Sequence, residues 1–336
     1  MKTIRIHAPG DMRLHDEPIP TPGQDEALLR VTATGVCGSD LHWFAEAGIG
    51  DARLAAPLVL GHESAGVIED GARRGERVAI DPAIPCLVCE YCLEGNPNLC
   101  IALRFAGHGA EDGTMREFMT WPRRCLHPLP DTLSDEDGAL LEPLGVALHA
   151  IDLGQLKVGM TVGVFGCGPI GILILQLARL MGAVSLIATD KLPHRLEAAR
   201  AFGAIPIQAA DGEEAAQVWA ATGKRGVDVA FEAAGENQAV ETAITVAKPG
   251  GRVVLVGIPA EDRTAFTAST ARRKGLEILL SRRMKNTYPR AIRLVQTGQV
   301  DLHSLVTHRF ALDEAAAAFR LAEKREGLKV ILTPGG

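Results

Sequence analysis

The pattern of hydrophobic and polar positions divides the 336-residue chain into two textures. Up to about residue 145, the apolar runs are short and lie among many prolines and glycines, as at 27–33, 65–69 and 77–80. Such runs, bounded by turn residues, predict an irregular, mostly β domain. From Leu156 the rhythm changes. Residues 161–165 form a buried-strand run, followed by a glycine-rich turn and a helix over 169–181. Strand 185–189, helix 193–202, strand 227–232, helix 237–247 and strands 252–257 and 276–281 continue the series. Alternating strands and helices imply right-handed βαβ units and a parallel sheet. The tail carries amphipathic helices near 289–296 and 313–323 and a closing strand at 329–332.

The length suggests about two domains, and 47% hydrophobic composition is ample for a core. The formal net charge of −6 gives no sign of nucleic acid or an anionic membrane as partner. The basic clusters Arg272-Arg273-Lys274 and Arg282-Arg283 are short and read as solvated faces. The N-terminus carries no signal-peptide core. The most apolar stretch, 170–181, is interrupted by Gln176 and Arg179 and is far too short to span a bilayer. A cytoplasmic protein is expected. The seven cysteines are odd in number and four cluster in one loop, which favours metal over disulfides.

Gly166-Cys167-Gly168-Pro169-Ile170-Gly171 matches G-x-G-x-x-G between a predicted strand and helix, and Asp190 ends the next strand. Gly166 permits the tight turn. Gly168 lets the backbone approach a pyrophosphate at the helix N-terminus, and Gly171 lets helix and strand pack closely. Asp190 should accept hydrogen bonds from the adenosine ribose and repel a 2′-phosphate, so NAD is expected over NADP. Lys191 and Arg195 follow closely and leave room for some NADP use. The bland alternative is a glycine-rich turn with a capping aspartate.

Cys86, Cys89, Cys92 and Cys100 have the spacing C-x2-C-x2-C-x7-C. Four thiolates close a tetrahedral shell with no open position, as in structural zinc. Four cysteines also hold iron–sulfur clusters. A nucleic-acid-binding zinc ribbon is opposed by Glu90 and Glu94 within the loop. Cys37, His62-Glu63 and Glu142 lie in three glycine-rich or Pro-bearing contexts expected to be non-helical. One thiolate, one imidazole and one carboxylate would leave a zinc open for substrate. Singly, each has a plainer reading: a buried thiol for Cys37 or a helix cap for Glu142.

Taken together, Gly61-His62-Glu63, the Cys86–Cys100 loop and Gly166–Gly171 occur in the order found in the zinc-containing medium-chain dehydrogenase/reductase family, which the chain resembles over its full length. The resemblance implies a GroES-like β-rich catalytic domain (1–145 and 284–336) and a doubly wound Rossmann NAD-binding domain (146–283), an α/β fold with a β-rich second domain. It places the active site in a cleft between them. Glu142-Pro143-Leu144, Gly38-Ser39-Asp40-Leu41-His42-Trp43, Gly48-Ile49-Gly50, Asn286–Pro289 and Leu305–Phe310 resemble the sorbitol (L-iditol 2-) dehydrogenase branch. By that match Cys37, His62 and Glu63 bind catalytic zinc, with Glu142 holding its water or joining the shell.

The resemblance further implies that Ser39 and His42 relay the substrate proton outward, a task that suits histidine. The expected reaction is NAD-linked oxidation of a secondary hydroxyl of a polyol to the ketose. Arg283 and Trp43 are expected at the substrate, although Met284 and Trp43 stand where the branch often has tyrosines. Related zinc enzymes acting on 2,3-butanediol, threonine or a sugar acid, and a zinc-stabilised NAD sensor, are the alternatives. A homo-oligomer, dimer or tetramer, is the family expectation.

Overall fold

The structure is a computed structural model that describes residues 1–210 and 212–334; residues 211, 335 and 336, which fall within the expected domain ranges, lie outside the described residues. The chain forms two compact units, Met1–Pro143 with Lys285–Gly336, and Leu144–Met284. No helix among the described residues is long and apolar enough to cross a membrane.

In the first unit the central strand is Glu26–Gly35, whose alternate residues Ala27, Leu29, Val31 and Ala33 are buried. Period-two alternation puts them on one face of the sheet. Glu63–Ile68 pairs antiparallel along one side of this strand, followed outward by Arg77–Ile80 and Leu126–Pro128. Lys329–Thr333 pairs along its other side, at Thr34 and Gly35, and Val306–Ala311 runs parallel to that closing strand. The chain's two extremes thus share one sheet, which places Gly35, Glu63 and Lys329 close together. The strands expected near 65–69, 77–80 and 329–332 are present with ends shifted by no more than two residues.

Two helices depart from the mostly β expectation. Gly38–Glu46 follows the central strand directly and buries Asp40, Trp43 and Phe44. Asp135–Gly154 is a 20-residue helix with Pro143 inside it. Glu142 is therefore helical, a correction to the non-helical context expected from the adjoining proline. The helix persists because Leu140, Leu141, Leu144, Ala147 and Leu148 are all buried. Packing of that extent outweighs the roughly 3 kcal/mol an internal proline costs.

In the second unit, six parallel strands run in the order Ile205–Gln208, Ser185–Asp190, Thr161–Phe165, Val227–Glu232, Ala247–Leu255, Glu277–Leu280. This is the doubly wound order that reverses direction at Thr161–Phe165. Strand Ile205–Gln208 and helices Glu214–Ala221 and Ala268–Lys274 complete an alternation read only in part from sequence.

Candidate functional site

A group of side chains able to hold a metal is assembled from two chain turns of the first unit. Cys37 sits in extended backbone at the N-cap of helix Gly38–Glu46, where its N–H donates to Asp40 Oδ2 at 2.9 Å. Gly61 has φ +96°, and a Cβ there would come within 2.7 Å of Thr114 Oγ1. That left-handed turn, which glycine alone adopts freely, delivers His62 and Glu63 to the start of strand Glu63–Ile68. The donor atoms of Cys37, His62 and Glu63 all lie within 4.8 Å of one another. One sulfur, one nitrogen and one oxygen donor suit a zinc that retains an open position.

Two residues that the sequence reading missed hold this group in place. Asp40 is buried, accepts the Gly61 N–H at 3.3 Å, and its Oδ1 stands 3.4 Å from His62 Nδ1. A carboxylate on the distal imidazole nitrogen is the usual support for a metal-binding histidine. Burial works against the His62 cation, but Asp40 and Cys37 outweigh it and raise its pKa well above the ordinary range. Lys329, 3% exposed, donates to both Glu63 oxygens at 2.8 and 2.6 Å and to the Val36 carbonyl at 3.2 Å. Burial disfavours the Lys329 ammonium as well, yet Glu63 and Cys37 hold its pKa above the usual value. Gly35 makes space for the pair: a Cβ there would sit 2.2 Å from Glu63 Oε2. Asp40 falls three residues after Cys37, a helix N3 position that reaches back to the N-cap. The signal for Lys329 was a lone lysine opening an otherwise apolar strand.

The other expected residues are placed as follows. Ser39 Oγ is 3.4 Å from His62 Nε2. His42 lies in the same helix, partly exposed, with Nδ1 3.8 Å from Glu46 Oε1. Glu142 is buried and outside the 4.8 Å group, yet its charge bears on Lys329 and Tyr288. Trp43, 1% exposed, lies in a core cluster with its ring edge-on to His108 at 5.6 Å. Phe105 packs on the His62 ring at 5.2 Å. Arg283, half-buried with φ +54°, belongs to the second unit.

Cys86, Cys89, Cys92 and Cys100 form the second group whose donor atoms lie within 4.8 Å. The Cys86 N–H points at Cys100 Sγ at 3.2 Å, and the Cys89 N–H at Cys86 Sγ at 3.3 Å. The Cys92 backbone N–H, with a smaller contribution from that of Ile101, brings the Cys89 thiol down to about 6. Leu87 occupies φ +63°, an unfavourable region for a branched side chain. That strained turn lets Cys86 and Cys89 converge, as a closed four-thiolate shell requires.

In the second unit, Gly166 turns at φ +103° and donates its N–H to the Thr189 carbonyl at 2.8 Å. A Cβ at Gly171 would lie 1.9 Å from the Gly166 oxygen, so helix Pro169–Leu180 approaches the turn only through glycine. A Cβ at Gly168 would meet nothing nearer than Arg195 Nη1 at 3.6 Å, leaving open space before Pro169 and Ile170. Asp190 accepts the N–H of Cys167 at 2.7 Å and of Leu192 at 2.9 Å. Its carboxylate is thereby fixed at the strand end, with Arg195 Nη1 4.0 Å away. An open helix N-terminus beside an anchored carboxylate suits a dinucleotide's pyrophosphate and ribose.

Comparison with known proteins agrees with this geometry. Residues 23–131 match the alcohol dehydrogenase GroES-like domain, and residues 169–297 the zinc-binding dehydrogenase domain. Sorbitol dehydrogenase of Bacillus subtilis (strain 168) is 35% identical, covering 99% of this chain and 97% of the relative. A probable D-xylulose reductase A of Arthroderma otae is 36% identical, covering 96% and 94%. Among solved structures, a short chain alcohol dehydrogenase from Escherichia coli CFT073, complexed with cofactor NADH, superposes with TM-score 0.91 at 31% identity over 99% of both chains. With matching domains, near-complete coverage and the Cys37–His62–Glu63 and Gly166–Gly171 sites in place, the chain belongs to the zinc-containing medium-chain dehydrogenase/reductase family and is an NAD-linked dehydrogenase.

Proposed function

We propose that the protein oxidises a secondary hydroxyl of a polyol of the sorbitol, xylitol or iditol type to the corresponding ketose, reversibly and with NAD. The observation that carries this reading is the Cys37–His62–Glu63 group, a site with one cysteine and a carboxylate, whose partner Lys329 also feels the charge of Glu142. An oxygen-rich shell suits a substrate with vicinal hydroxyls. The sorbitol dehydrogenase and D-xylulose reductase relatives point the same way.

When bound, zinc would supply Lewis-acid activation of the substrate hydroxyl, and NAD would accept the hydride. The chain's own residues do the rest. Cys37, His62 and Glu63 would hold the zinc, and Glu142 would orient the water or substrate hydroxyl there. Ser39 Oγ, within reach of the His62 ring, accepts the hydroxyl proton, and His42 on the following helical turn passes it outward. Asp190 binds the adenosine ribose, Gly166, Gly168, Pro169, Ile170 and Gly171 carry the pyrophosphate, and Arg195 supports it. Arg283 hydrogen-bonds distal hydroxyls, and Trp43 shapes the substrate region as a buttress under His108. The four-cysteine loop holds a structural zinc. The enzyme works in the cytoplasm as a dimer or tetramer.

A panel of polyols, sugars, sugar acids, 2,3-butanediol and threonine, each with NAD, tests the substrate class. Turnover is expected on polyols. Its absence on every polyol, with turnover on another class, would overturn the assignment. Cys37→Ser should abolish turnover while retaining NADH binding. Retained turnover would remove Cys37 from the site.

A further inference from the structure

The doubly wound sheet reverses its strand order between Thr161–Phe165 and Val227–Glu232, and such a crevice has two walls. The first is the Gly166–Gly171 turn. The second is the segment 233–236 that leaves strand Val227–Glu232. Contact between the walls is close: the Ala233 N–H donates to the Phe165 carbonyl at 2.8 Å, and a Cβ on Gly166 would meet the Ala234 nitrogen at 2.6 Å. Ala233, Ala234 and Gly235 are each partly exposed, so the segment reaches the surface although the N–H group of each is already taken within the protein.

Glu232 stands beneath this second wall, 1% exposed. Its Oε1 accepts the N–H of Ala234 at 2.8 Å and of Gly235 at 2.7 Å. Its main-chain oxygen accepts the N–H of Val256 at 2.8 Å and of Gly257 at 3.1 Å. Both neighbouring glycines are packed to the limit. A Cβ on Gly257 would lie 2.8 Å from Glu232 Oε2 and 2.2 Å from the Gly235 nitrogen, and one on Gly235 would lie 2.4 Å from the Ile258 oxygen. Burial raises the Glu232 pKa, while the N–H groups around the carboxyl oppose that rise. A buried carboxyl is costly to keep, and no metal ligand or basic side chain is paired with this one among the described ion pairs. Its partners are the backbone groups of the turn itself. The outer end of that turn is tied by Glu236 to Lys191, the residue after Asp190, so it is fixed on both sides of the first wall.

We propose that Glu232 is the positioning residue of the second wall, fixing the 233–236 and 256–257 backbone against Gly166 so that the part of NAD beyond the adenosine half finds its seat. This rests on the cofactor assignment above. AMP reports the adenosine half, which Asp190 recognises, and NADH reports the whole dinucleotide.

The test titrates the full-length protein with NADH and with AMP, in wild type, Glu232→Gln and Glu232→Asp, with thermal melts in parallel. Wild-type NADH binding checks the cofactor reading by itself; if wild type binds no NADH, that reading fails first and the proposal falls with it. Glu232→Gln can keep one oxygen for the Ala234 and Gly235 N–H groups but turns an amide nitrogen towards the other N–H groups around the carboxyl, those of Glu236 and Gly257. The expected result is NADH affinity weakened about tenfold with AMP affinity unchanged. KM for NAD should rise more than kcat falls, and Glu232→Asp should be intermediate. Unchanged NADH affinity in Glu232→Gln overturns the proposal. So does equal weakening of AMP and NADH with a lowered melting temperature, which would make Glu232 a support of the whole unit and not of the second wall.

Discussion

Replacing Lys329 by methionine isolates the energetics of the metal group. Methionine keeps much of the apolar stem and removes the ammonium. Glu63, 1% exposed, would then be a buried carboxylate without its partner at 2.6 Å, and the Val36 carbonyl would lose a donor as well. Breaking one side of a buried ion pair costs about 3–5 kcal/mol. In a unit of this size, each kcal/mol moves the melting temperature by roughly 2–4 °C. Zinc-stripped Lys329→Met should therefore melt about 10 °C below zinc-stripped wild type. Zinc binding should reverse much of that loss. In wild type a zinc held at Glu63 would share that carboxylate with Lys329, whereas in the variant it would have the carboxylate to itself. The rise in melting temperature on adding zinc should thus be larger in Lys329→Met. Scanning calorimetry with and without chelator measures both differences. A zinc-free variant that melts within about 3 °C of wild type, or a zinc-induced rise no larger than wild type's, would refute the coupling of Lys329 to Glu63.

Four further outcomes follow from the geometry. Asp40→Asn should lower zinc affinity about 10–100-fold by loosening His62, read by competition with a chromophoric chelator; unchanged affinity would dismiss Asp40 as a support. Cys100→Ser should remove one metal equivalent while sparing the Cys37 site, and metal analysis finding iron in the wild-type loop would contradict the zinc assignment. Gly171→Ala places a Cβ against the Gly166 oxygen, so NADH titration should show no binding; wild-type affinity would contradict the turn geometry. His127, stacked on Tyr288 at 4.4 Å, is brought down to about 4 by burial. The unfolded chain therefore takes up this proton first. Stability should be complete above about pH 6.5 and fall by about 3 kcal/mol as pH drops towards 4. His127→Phe should flatten that fall, and an identical pH profile in the variant would exclude His127 as its source.

The second unit was largely legible because its central strands, buried on both faces, read as unbroken apolar runs closed by turns, as in 161–165 and 227–232. The first unit was harder. Helix Gly38–Glu46 buries only three residues and starts at a glycine, so its period is faint. In helix Asp135–Gly154, Pro143 carried a local stop signal that tertiary burial overrode. Cys37, His62 and Glu63 were readable from their motifs and from family order, and the structure brings their donor atoms together. Lys329 was not readable as their partner, since pairing across 266 residues leaves no local trace. Only the sheet register reveals it.

That separation also bears on synthesis. The unit Leu144–Met284 is continuous in sequence, whereas its companion draws on residues from both sides of it. At ribosomal rates, roughly 10–50 s separate the emergence of Glu63 from that of Lys329. Throughout that interval the nascent chain carries Glu63 without the counter-charge it needs once buried. The middle unit can fold during the wait, and completion of the Glu63–Lys329 pair becomes a late event in the life of each molecule.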